Sequence, residues 1–294
     1  MSGHGPPSAS GRSSGRRSGR AIRFDVRRFE ALDSTNRYLL DQARAGGDEG
    51  LVAVADHQSA GRGRLGRRWE APAGTNLLLS VLLRPTLADD ELHLCTVAVA
   101  LAARRAVAAV AGVEADLKWP NDLLVAEKKV AGILAETIPT DPGAGQDRGR
   151  AVVVGLGLNV NWPAPEPEPA TAASAASAEG AGTGEPAVPA APLADATSLW
   201  RVTGKPTAPA AYVEPLLGAL GEELADLGDR SGRLRLAADY RRACATVGRT
   251  VRITLPDETV VGQVTDVTTE GHLLVDVGAC LRTIVAGDVV HLRG

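Results

Sequence analysis

The chain is poor in cysteine and in aromatic residues, and these shortages exclude several classes of protein. Its 294 residues include three cysteines, one methionine and 3% aromatic residues. The cysteines lie far apart along the chain, so they form neither a zinc-binding pair nor a redox C-x-x-C motif. The net charge of −3 argues against a general nucleic-acid-binding surface. The first twenty residues lack the apolar run of a signal peptide, and we therefore expect a cytoplasmic protein.

Two stretches lack the apolar residues that a core requires. Residues 1–20 are mainly Gly, Ser and Arg, and they are expected to form a disordered basic tail. Residues 163–194 are rich in Ala, Pro, Glu and Gly and contain no Lys or Arg, which predicts a low-complexity insertion in a surface loop. The apolar stretch 92–113 contains Arg104 and Arg105, so a buried helix is favoured over a membrane span.

Hydrophobic periodicity predicts mixed strands and helices through residue 243. The predicted strands are residues 51–56, 76–83 and 151–160, together with a hairpin of 123–125 and 130–134. The predicted helices are a short one capped by Asp33 or Ser34, a long core helix over 91–111, and two between 208 and 242. From Val247 onward the pattern changes to short alternating strands. This change indicates a separate small closed barrel that begins near Cys244.

The segment 61–69, with the sequence GRGRLGRRW, packs four arginines and three glycines ahead of a tryptophan. Glycine lets backbone N–H groups approach a ligand, and arginine presents a planar cation that matches phosphate oxygens. The segment also satisfies the dinucleotide fingerprint G-x-G-x-x-G. That interpretation requires a helix directly afterwards, whereas Pro72 and Gly74 follow here. A loop between strands that binds an anion is favoured, with a solvated basic loop or nucleic-acid patch as the alternative.

Two further motifs carry polar groups at rigid positions. Lys118-Trp119-Pro120-Asn121-Asp122 joins a strand to the hairpin, and its lysine is either a cation aimed at a ligand or one half of a surface ion pair. Asp33-Ser34-Thr35-Asn36 offers hydroxyl and amide groups at a helix start, which also fits simple capping. Gln58 could be an ordinary strand-end residue. Gly155 and Gly157 could mark a close approach of two elements.

Taken together, these motifs resemble those of the biotin protein ligases. The matching segments occur in the order of that family and are residues 34–36, 58–69, 118–123, 129–136 and 155–161. The resemblance is close over residues 22–162 and resumes at 196–199. Five motifs in one order are far more specific than any one of them. The departures are the long insertion and the absence of a helix-turn-helix segment before Ser34, which point to a monofunctional ligase without sequence-specific DNA binding.

The resemblance implies an α+β fold in which a class II synthetase-like mixed sheet with flanking helices precedes a small SH3-like β-barrel. The expected boundaries are 21–243 for the catalytic domain and 244–294 for the barrel. The implied reaction has two steps: biotin and MgATP form biotinyl-5′-AMP, and a lysine of a biotin carboxyl carrier domain then displaces AMP. ATP and biotin are substrates, Mg²⁺ accompanies ATP, no membrane is involved, and the chain is expected to be a monomer or weak homodimer.

The resemblance also assigns site residues, while it leaves the metal ligands unknown. The catalytic residues are Lys118, Arg62 and Arg64. The biotin-binding residues are Ser34, Thr35, Asn36, Gln58, Arg62, Gly63, Arg64, Lys118 and Gly132. The residues for ATP and the adenylate are Gly61, Arg64, Arg67, Trp69, Lys118, Asn121 and Asn159.

Two other functions remain open from the sequence. A lipoate or octanoate ligase shares the core of this family, although the arginine-glycine loop and the Lys-Trp-Pro-Asn-Asp motif favour biotin. A regulator that binds biotinyl-adenylate without transferring it would need a partner-binding or DNA-binding module, and only the terminal barrel could serve as one.

Overall fold

A mixed β-sheet of seven strands organises the larger part of the fold. The computed structural model describes residues 22–138, 150–165 and 195–292. The strands are β1 Asp25–Leu32, β2 Leu51–Gln58, β3 Leu77–Leu83, β4 Asp116–Lys118, β5 Asp122–Val125, β6 Lys128–Ile138 and β7 Ala151–Leu158. They lie in the order β1-β2-β3-β7-β6-β5-β4. β1 is parallel to β2, and every other neighbouring pair is antiparallel. The predicted tail and residues 166–194 of the predicted insertion lie outside the described residues.

Helices cover both faces of this sheet, which explains the nearly continuous apolar runs in its central strands. The helices are α1 Thr35–Arg44, α2 His93–Ala111, α3 Leu199–Thr203, α4 Val213–Asp226 and α5 Arg230–Ala243. On one face α1 packs in a cluster that includes Ala53 and Val153. On the other face α2 and α4 pack in a cluster that includes Val52 and Val154. Alternate residues of one strand therefore supply two separate cores, and the predicted α+β sheet with flanking helices is confirmed.

The helix α2 belongs to a helical segment, Asp89–Ala111, that is long and apolar enough to cross a membrane by length and composition. In the fold most of this segment is buried, since α2 packs against α4, α5 and the sheet. Arg104 and Arg105 reach outward and pair with Glu114 and with Glu222 and Glu223. The segment is therefore a core helix of the fold, as the two arginines indicated.

The edge strand β1 was not predicted from the sequence. All eight of its residues, DVRRFEAL, are exposed or half-buried, and four of them are charged. Such a strand has only one neighbour to pair with, so its apolar pattern is weak. Parallel pairing with β2 nevertheless places it beside α1, where Phe29 contacts Tyr38 with a ring separation of 4.8 Å.

A second, antiparallel sheet follows α5. Its strands are β8 Thr250–Thr254, β9 Thr259–Val267, β10 Leu273–Asp276, β11 Leu281–Ile284 and β12 Asp288–His291, in the order β11-β10-β9-β8-β12. The predicted small C-terminal β-domain is confirmed. The strands β11 and β12 are at the two ends of this order, and no strand ladder joins them within the described part of the chain.

The β-domain is fastened to the main sheet at the predicted rigid motif. The indole Nε1 of Trp119 donates to the carbonyl of Gly271 at 2.8 Å, and the backbone N–H of Trp119 donates to Oγ1 of Thr246 at 3.1 Å. The backbone N–H of Ala245 also donates to the carbonyl of Leu117 at 2.8 Å. These bonds hold the β-domain against the motif that contains Lys118.

Candidate active site

A cavity of about 620 Å³ lies between the main sheet and the β-domain. Its size falls within the range of about 300–1,000 Å³ that is usual for small-molecule sites. The structure brings nearly all of the predicted site residues to this one cavity, although they come from distant parts of the chain. Those that line it are Ser34, Thr35, Asn36, Gln58, Arg62, Gly63, Arg64, Arg67, Trp69, Lys118, Asn121 and Gly132.

Buried polar groups at the start of α1 form one end of the cavity. The carboxamide oxygen of Gln58 accepts from the backbone N–H of Thr35 at 2.7 Å and lies 3.0 Å from its hydroxyl. Ser80, on β3, places its hydroxyl 2.7 Å from Thr35 Oγ1 and 2.6 Å from Asn36 Oδ1. Ser34 caps α1 by accepting from the backbone N–H of Arg37. The capping and ligand-binding interpretations are therefore compatible, because the cap fixes the neighbouring side chains in the cavity.

Glycines on two adjacent strands form a floor beneath the ring of Trp69. Gly132 on β6 is paired with Gly157 on β7. A Cβ atom at Gly157 would lie 2.4 Å from the indole, and one at Gly132 would lie 3.0 Å from it. In the same way, a Cβ at Gly155 would lie 2.2 Å from Oδ1 of Asn36. These glycines are required by the close approach of Trp69 and Asn36, a reason that the sequence alone left open.

The glycine-arginine segment forms a structured loop between β2 and β3, as predicted. The N–H of Gly63 donates to the carbonyl of Arg67 at 2.7 Å, and the N–H of Trp69 donates to the carbonyl of Gly61 at 3.0 Å. Leu65, at the tip, has the left-handed backbone angle φ of 56°. Gly61 does not line the 620 Å³ cavity. A Cβ there would meet the carbonyl of Trp69 at 2.3 Å, so Gly61 allows the loop to close on itself.

Three loop arginines are anchored by different parts of the fold. Arg62 pairs with Glu136 at 3.0 Å, and the same carboxylate oxygen accepts from Nδ2 of Asn36 at 2.8 Å. Arg64 donates to Oδ1 of Asn121 at 3.3 Å and to the carbonyl of Gly287 at 3.4 Å.

The third, Arg67, forms an ion pair with Asp288 at the start of β12. Burial lowers the pKa of Arg64 from its ordinary value. A guanidinium nevertheless remains a cation in proteins. The loop thus brings fixed positive charge to the wall of the cavity.

The side chain of Lys118 lines the cavity and makes no hydrogen bond or ion pair within the described residues. The alternative in which it pairs with Asp122 does not hold, because Asp122 pairs instead with Lys129 at 2.5 Å. The Lys129 ammonium also lies 5.7 Å from the ring centroid of Trp69. Lys118 is therefore a cation at the cavity wall whose donors are available to a ligand.

The β-domain contributes residues that were not predicted. His291 and Arg249 line the cavity, and His291 Nε2 lies 3.0 Å from Oγ1 of Thr246. Burial, together with the positive charges of Lys118 and Arg249, lowers the pKa of His291 to about 4. The ring is therefore neutral near pH 7. No local sequence signal marks these residues, because their position depends on how the two sheets pack.

Asn159 is, with Gly61, the second predicted ligand-binding residue that lies outside this cavity. Asn159 is buried and does not line the cavity. Its Oδ1 accepts from Nδ2 of Asn76 at 3.1 Å, and its own Nδ2 donates to the carbonyl of Thr197 at 3.0 Å. We therefore assign Asn159 to the joining of β7 to the segment before α3 rather than to ATP.

The sequence of this chain matches two family models. Residues 28–159 match the Biotin/lipoate A/B protein ligase family, and residues 246–292 match the Biotin protein ligase C terminal domain. The first match spans most of the seven-stranded sheet, and the second spans all five strands of the β-domain. The fold and cavity thus define a protein of the biotin and lipoate ligase class.

Individual relatives narrow this class. A biotin–[acetyl-CoA-carboxylase] ligase from Mycobacterium tuberculosis is 36% identical over 266 residues, which cover 88% of this chain and 86% of that protein. A second such ligase, from Paracoccus denitrificans, is 42% identical over 116 residues, which cover 38% of this chain and 46% of that protein. A biotin protein ligase from Aquifex aeolicus, solved with biotin and ATP, superposes with a TM-score of 0.68 at 25% identity over 92% of this chain and 99% of that one. The chain belongs to the biotin protein ligase family.

Proposed function

We propose that this chain is a ligase that activates biotin with ATP and transfers the biotinyl group to a lysine of a biotin carboxyl carrier domain in an acyl-CoA carboxylase. The similarity to the mycobacterial ligase along most of both chains supports this activity. The structural observation that carries it is the unpaired Lys118 at the wall of a cavity that also contains the loop arginines. Such a cavity suits a reaction that joins two anions.

In the first step a carboxylate oxygen of biotin forms a bond to the α-phosphorus of ATP, and pyrophosphate leaves with the electrons of the broken P–O bond. Negative charge gathers where the two anions meet. Lys118, Arg62 and Arg64 are the cations proposed to stabilise it. In the second step the lysine amine attacks the acyl carbon, AMP leaves, and the amine loses a proton. No covalent intermediate with the protein is required.

The buried polar end of the cavity suits the ureido group of biotin. That group presents a carbonyl and two N–H groups, and each buried hydrogen bond contributes about 0.5–1.5 kcal/mol net. Ser34, Thr35, Asn36 and Gln58 supply donors and acceptors there. Gly132 leaves space above the sheet, and Trp69 excludes water from the acyl adenylate, which water would otherwise hydrolyse.

The nucleotide is proposed to bind between the loop and the β-domain. Arg64 and Arg67 of the loop and Asn121 would contact the nucleotide, with Arg249 of the β-domain as an added cation at this end of the cavity. Mg²⁺ in such sites is held mainly by phosphate and water, with one or two carboxylates. Asp122 is a carboxylate that lines the cavity, although its Oδ1 pairs with Lys129, and the described residues contain no cluster of three or more candidate ligand side chains. Bound Mg²⁺ would neutralise phosphate charge.

The partner is proposed to be the carrier domain of an acyl-CoA carboxylase, in keeping with the names of the relatives. A cytoplasmic location, a monomer or weak dimer, and the absence of sequence-specific DNA binding remain predictions. Nanomolar, sequence-selective binding to DNA at physiological salt would contradict the last of these.

The proposal is tested by incubating the purified protein with MgATP and biotin, lipoate or octanoate, and by following pyrophosphate release. Of the three acids, we expect only biotin to cause the release of pyrophosphate. Release with lipoate or octanoate but not with biotin would show that the acid is wrongly assigned. Adenylate that is formed and retained, with no transfer to any carrier domain, would instead indicate a regulator.

The role of Lys118 is tested by Lys118→Ala. Adenylate formation should fall by at least about 10²-fold, because the substitution removes a donor from the developing charge. Lys128→Ala is a matched control, since Lys128 is exposed on the adjoining hairpin and does not line the cavity. A loss below tenfold for Lys118→Ala, or an equal loss for the control, would remove Lys118 from this role.

A further inference from the structure

The carboxylate of Glu136 contacts two residues of the cavity wall without lining the cavity itself. Its Oε2 accepts from Nδ2 of Asn36 at 2.8 Å and from the guanidinium of Arg62 at 3.0 Å. Asn36 and Arg62 line the cavity of about 620 Å³, whereas Glu136 does not. A ligand in the cavity is therefore affected by Glu136 only through the two residues that it holds.

The carboxamide of Asn36 bridges two strands that do not pair with each other. Ser80 on β3 and Leu134 on β6 are both paired with Gly155, which lies on β7 between them. The carboxamide lies over Gly155, where a Cβ would be 2.2 Å from its Oδ1. That oxygen is 2.6 Å from the hydroxyl of Ser80, while Nδ2 donates to the carbonyl of Leu134 at 3.1 Å as well as to Glu136. Glu136 thus completes a polar row that crosses three strands beneath α1.

The chemistry of these groups fixes the direction of the hydrogen bonds in the row. A carboxylate and a backbone carbonyl only accept, so the Nδ2 group of Asn36 faces them and its Oδ1 faces Ser80. Ser80 then gives its single proton to Asn36 and can only accept from the hydroxyl of Thr35, whose oxygen is 2.7 Å away. The oxygen of Thr35 is left to accept from a ligand in the cavity. The carboxylate of Glu136 is the charged acceptor that sets this direction.

The same carboxylate oxygen orients an arginine that is assigned to the reacting groups. The side chain of Arg62 is 46% exposed, and Glu136 is its sole side-chain partner in the part of the chain that the structure describes. An ion pair this exposed adds little to stability. It does restrict a long side chain that would otherwise occupy several rotamers. Orientation matters here, because a displacement of about 1 Å can reduce a rate about 10²-fold.

We propose that Glu136 is a positioning residue that couples the biotin-binding end of the cavity to the reacting groups, an inference that rests on the proposed function. Through Asn36 and Ser80 it keeps the oxygen of Thr35 available to accept from an N–H of the ureido group. Through Arg62 it directs a cation to the place where the biotin carboxylate meets the α-phosphate. One carboxylate oxygen thereby serves both the binding of biotin and its activation.

The test uses Glu136→Met, which removes the acceptor and nearly keeps the length of the side chain. This substitution is made alone, with Asn36→Ala, and with Arg62→Ala. Glu223→Met is the matched control, since Glu223 pairs with Arg105, whose side chain is 47% exposed, and does not line the cavity. Three quantities are measured for each protein: the Kd for biotin without ATP, kcat for pyrophosphate release at saturating biotin and MgATP, and Tm.

We expect Glu136→Met to raise the Kd for biotin about tenfold and to lower kcat about tenfold. The rise in Kd should be below twofold when Asn36 is already alanine, because that effect acts through Asn36. The loss in kcat should likewise be below twofold when Arg62 is already alanine. Glu136→Gln, which keeps an acceptor without the charge, should recover most of the affinity for biotin but less of kcat. A merely structural role would lower Tm and change the other two quantities equally in every background.

The proposal is overturned if Glu136→Met leaves both Kd and kcat within twofold of the unmodified chain. Losses that are undiminished in the two alanine backgrounds, or equal losses in Glu223→Met, would also overturn it. If Glu136→Met does not fold, Glu136→Gln carries the test, since its loss in kcat should disappear when Arg62 is alanine and its persistence would contradict the proposal. Absence of pyrophosphate release by the unmodified chain with biotin would instead refute the proposed function.

Discussion

The close contact between Gly157 and Trp69 gives the most demanding test of the cavity floor. In Gly157→Ala the new Cβ would lie 2.4, 2.6 and 2.8 Å from three atoms of the indole. Carbon atoms do not approach so closely, so the ring, the strand or both must move. β7 is a central strand with a partner on each side, and its backbone is therefore held in place. The indole should be the group that moves.

Gly157→Ala is expected to reduce both the stability of the protein and the rate of adenylate formation. Inserting a methyl group into a packed site costs about 1–3 kcal/mol of unfolding free energy. Displacing a substrate-positioning group by about 1 Å can reduce the rate about 10²-fold. Gly157→Ala should therefore lower stability by an amount in that range and reduce adenylate formation by about 10²-fold. The same change at Gly218, which is exposed on α4 with no atom near its Cβ position, should stabilise the helix by up to about 1 kcal/mol.

A double-mutant cycle with Trp69→Ala tests whether the indole is the cause of the lost stability and activity in Gly157→Ala. The assays are chemical denaturation and pyrophosphate release. Without the indole there is nothing for the Cβ to displace, so Gly157→Ala should cost less than about 0.5 kcal/mol in that background. The reasoning is refuted if Gly157→Ala is tolerated in the unmodified chain. It is also refuted if the cost is the same with and without Trp69.

Three further predictions follow from single contacts. Ser80→Ala removes a buried hydroxyl from Thr35 and Asn36, so it should cost about 1–3 kcal/mol and raise KM for biotin more than it lowers kcat. Asn159→Ala should lower unfolding free energy by a similar amount of about 1–3 kcal/mol while KM for ATP changes little, because the side chain joins backbone segments away from the cavity. The pKa of His291 is about 4 in the folded protein and 6.5 ordinarily, so above pH 6.5 the ring is neutral in both the folded and the unfolded chain. Below pH 6.5 the unfolded chain binds a proton that the folded protein does not yet bind. The free energy of unfolding should therefore fall by about 1–2 kcal/mol, after allowance for solvent screening, as the pH drops from 6.5 to 4.

Each of these has a definite contrary result. An unchanged KM for biotin in Ser80→Ala would separate the buried network from ligand binding. A large rise in KM for ATP in Asn159→Ala would show that Asn159 does contribute to nucleotide binding. The pH dependence is compared with that of His291→Gln, which keeps an acceptor for Thr246 but does not titrate. Equal loss of stability in the two proteins between pH 6.5 and 4 would show that another group is responsible.

The sequence was most informative where local pattern and fold coincide. Both faces of the central strands are buried, so their continuous apolar runs were readable as strands. The hairpin between β5 and β6 was marked by its polar turn, where Ala126 and Glu127 adopt left-handed angles. The motifs at Ser34, Gln58, the loop and Lys118 were expected in one site through a family resemblance, and the structure places them around one cavity.

The sequence was least informative where a residue's neighbour is distant along the chain. No local sequence feature distinguishes Asn159, which is buried after the end of β7, from Asn121, which lines the cavity. Ser80 lies in an apolar strand and gives no sign that it supports Thr35 and Asn36. His291 depends on how the β-domain packs against Trp119. Such placements follow from tertiary packing, which periodicity does not encode.

The central claim is tested most directly by intact-mass measurement of a biotin carboxyl carrier domain after incubation with the protein, biotin and MgATP. The account predicts that the carrier gains one biotinyl group, that a carrier with its acceptor lysine changed to arginine gains none, and that biotinyl-AMP is detected when the carrier is left out. An unmodified carrier together with no biotinyl-AMP would contradict the account.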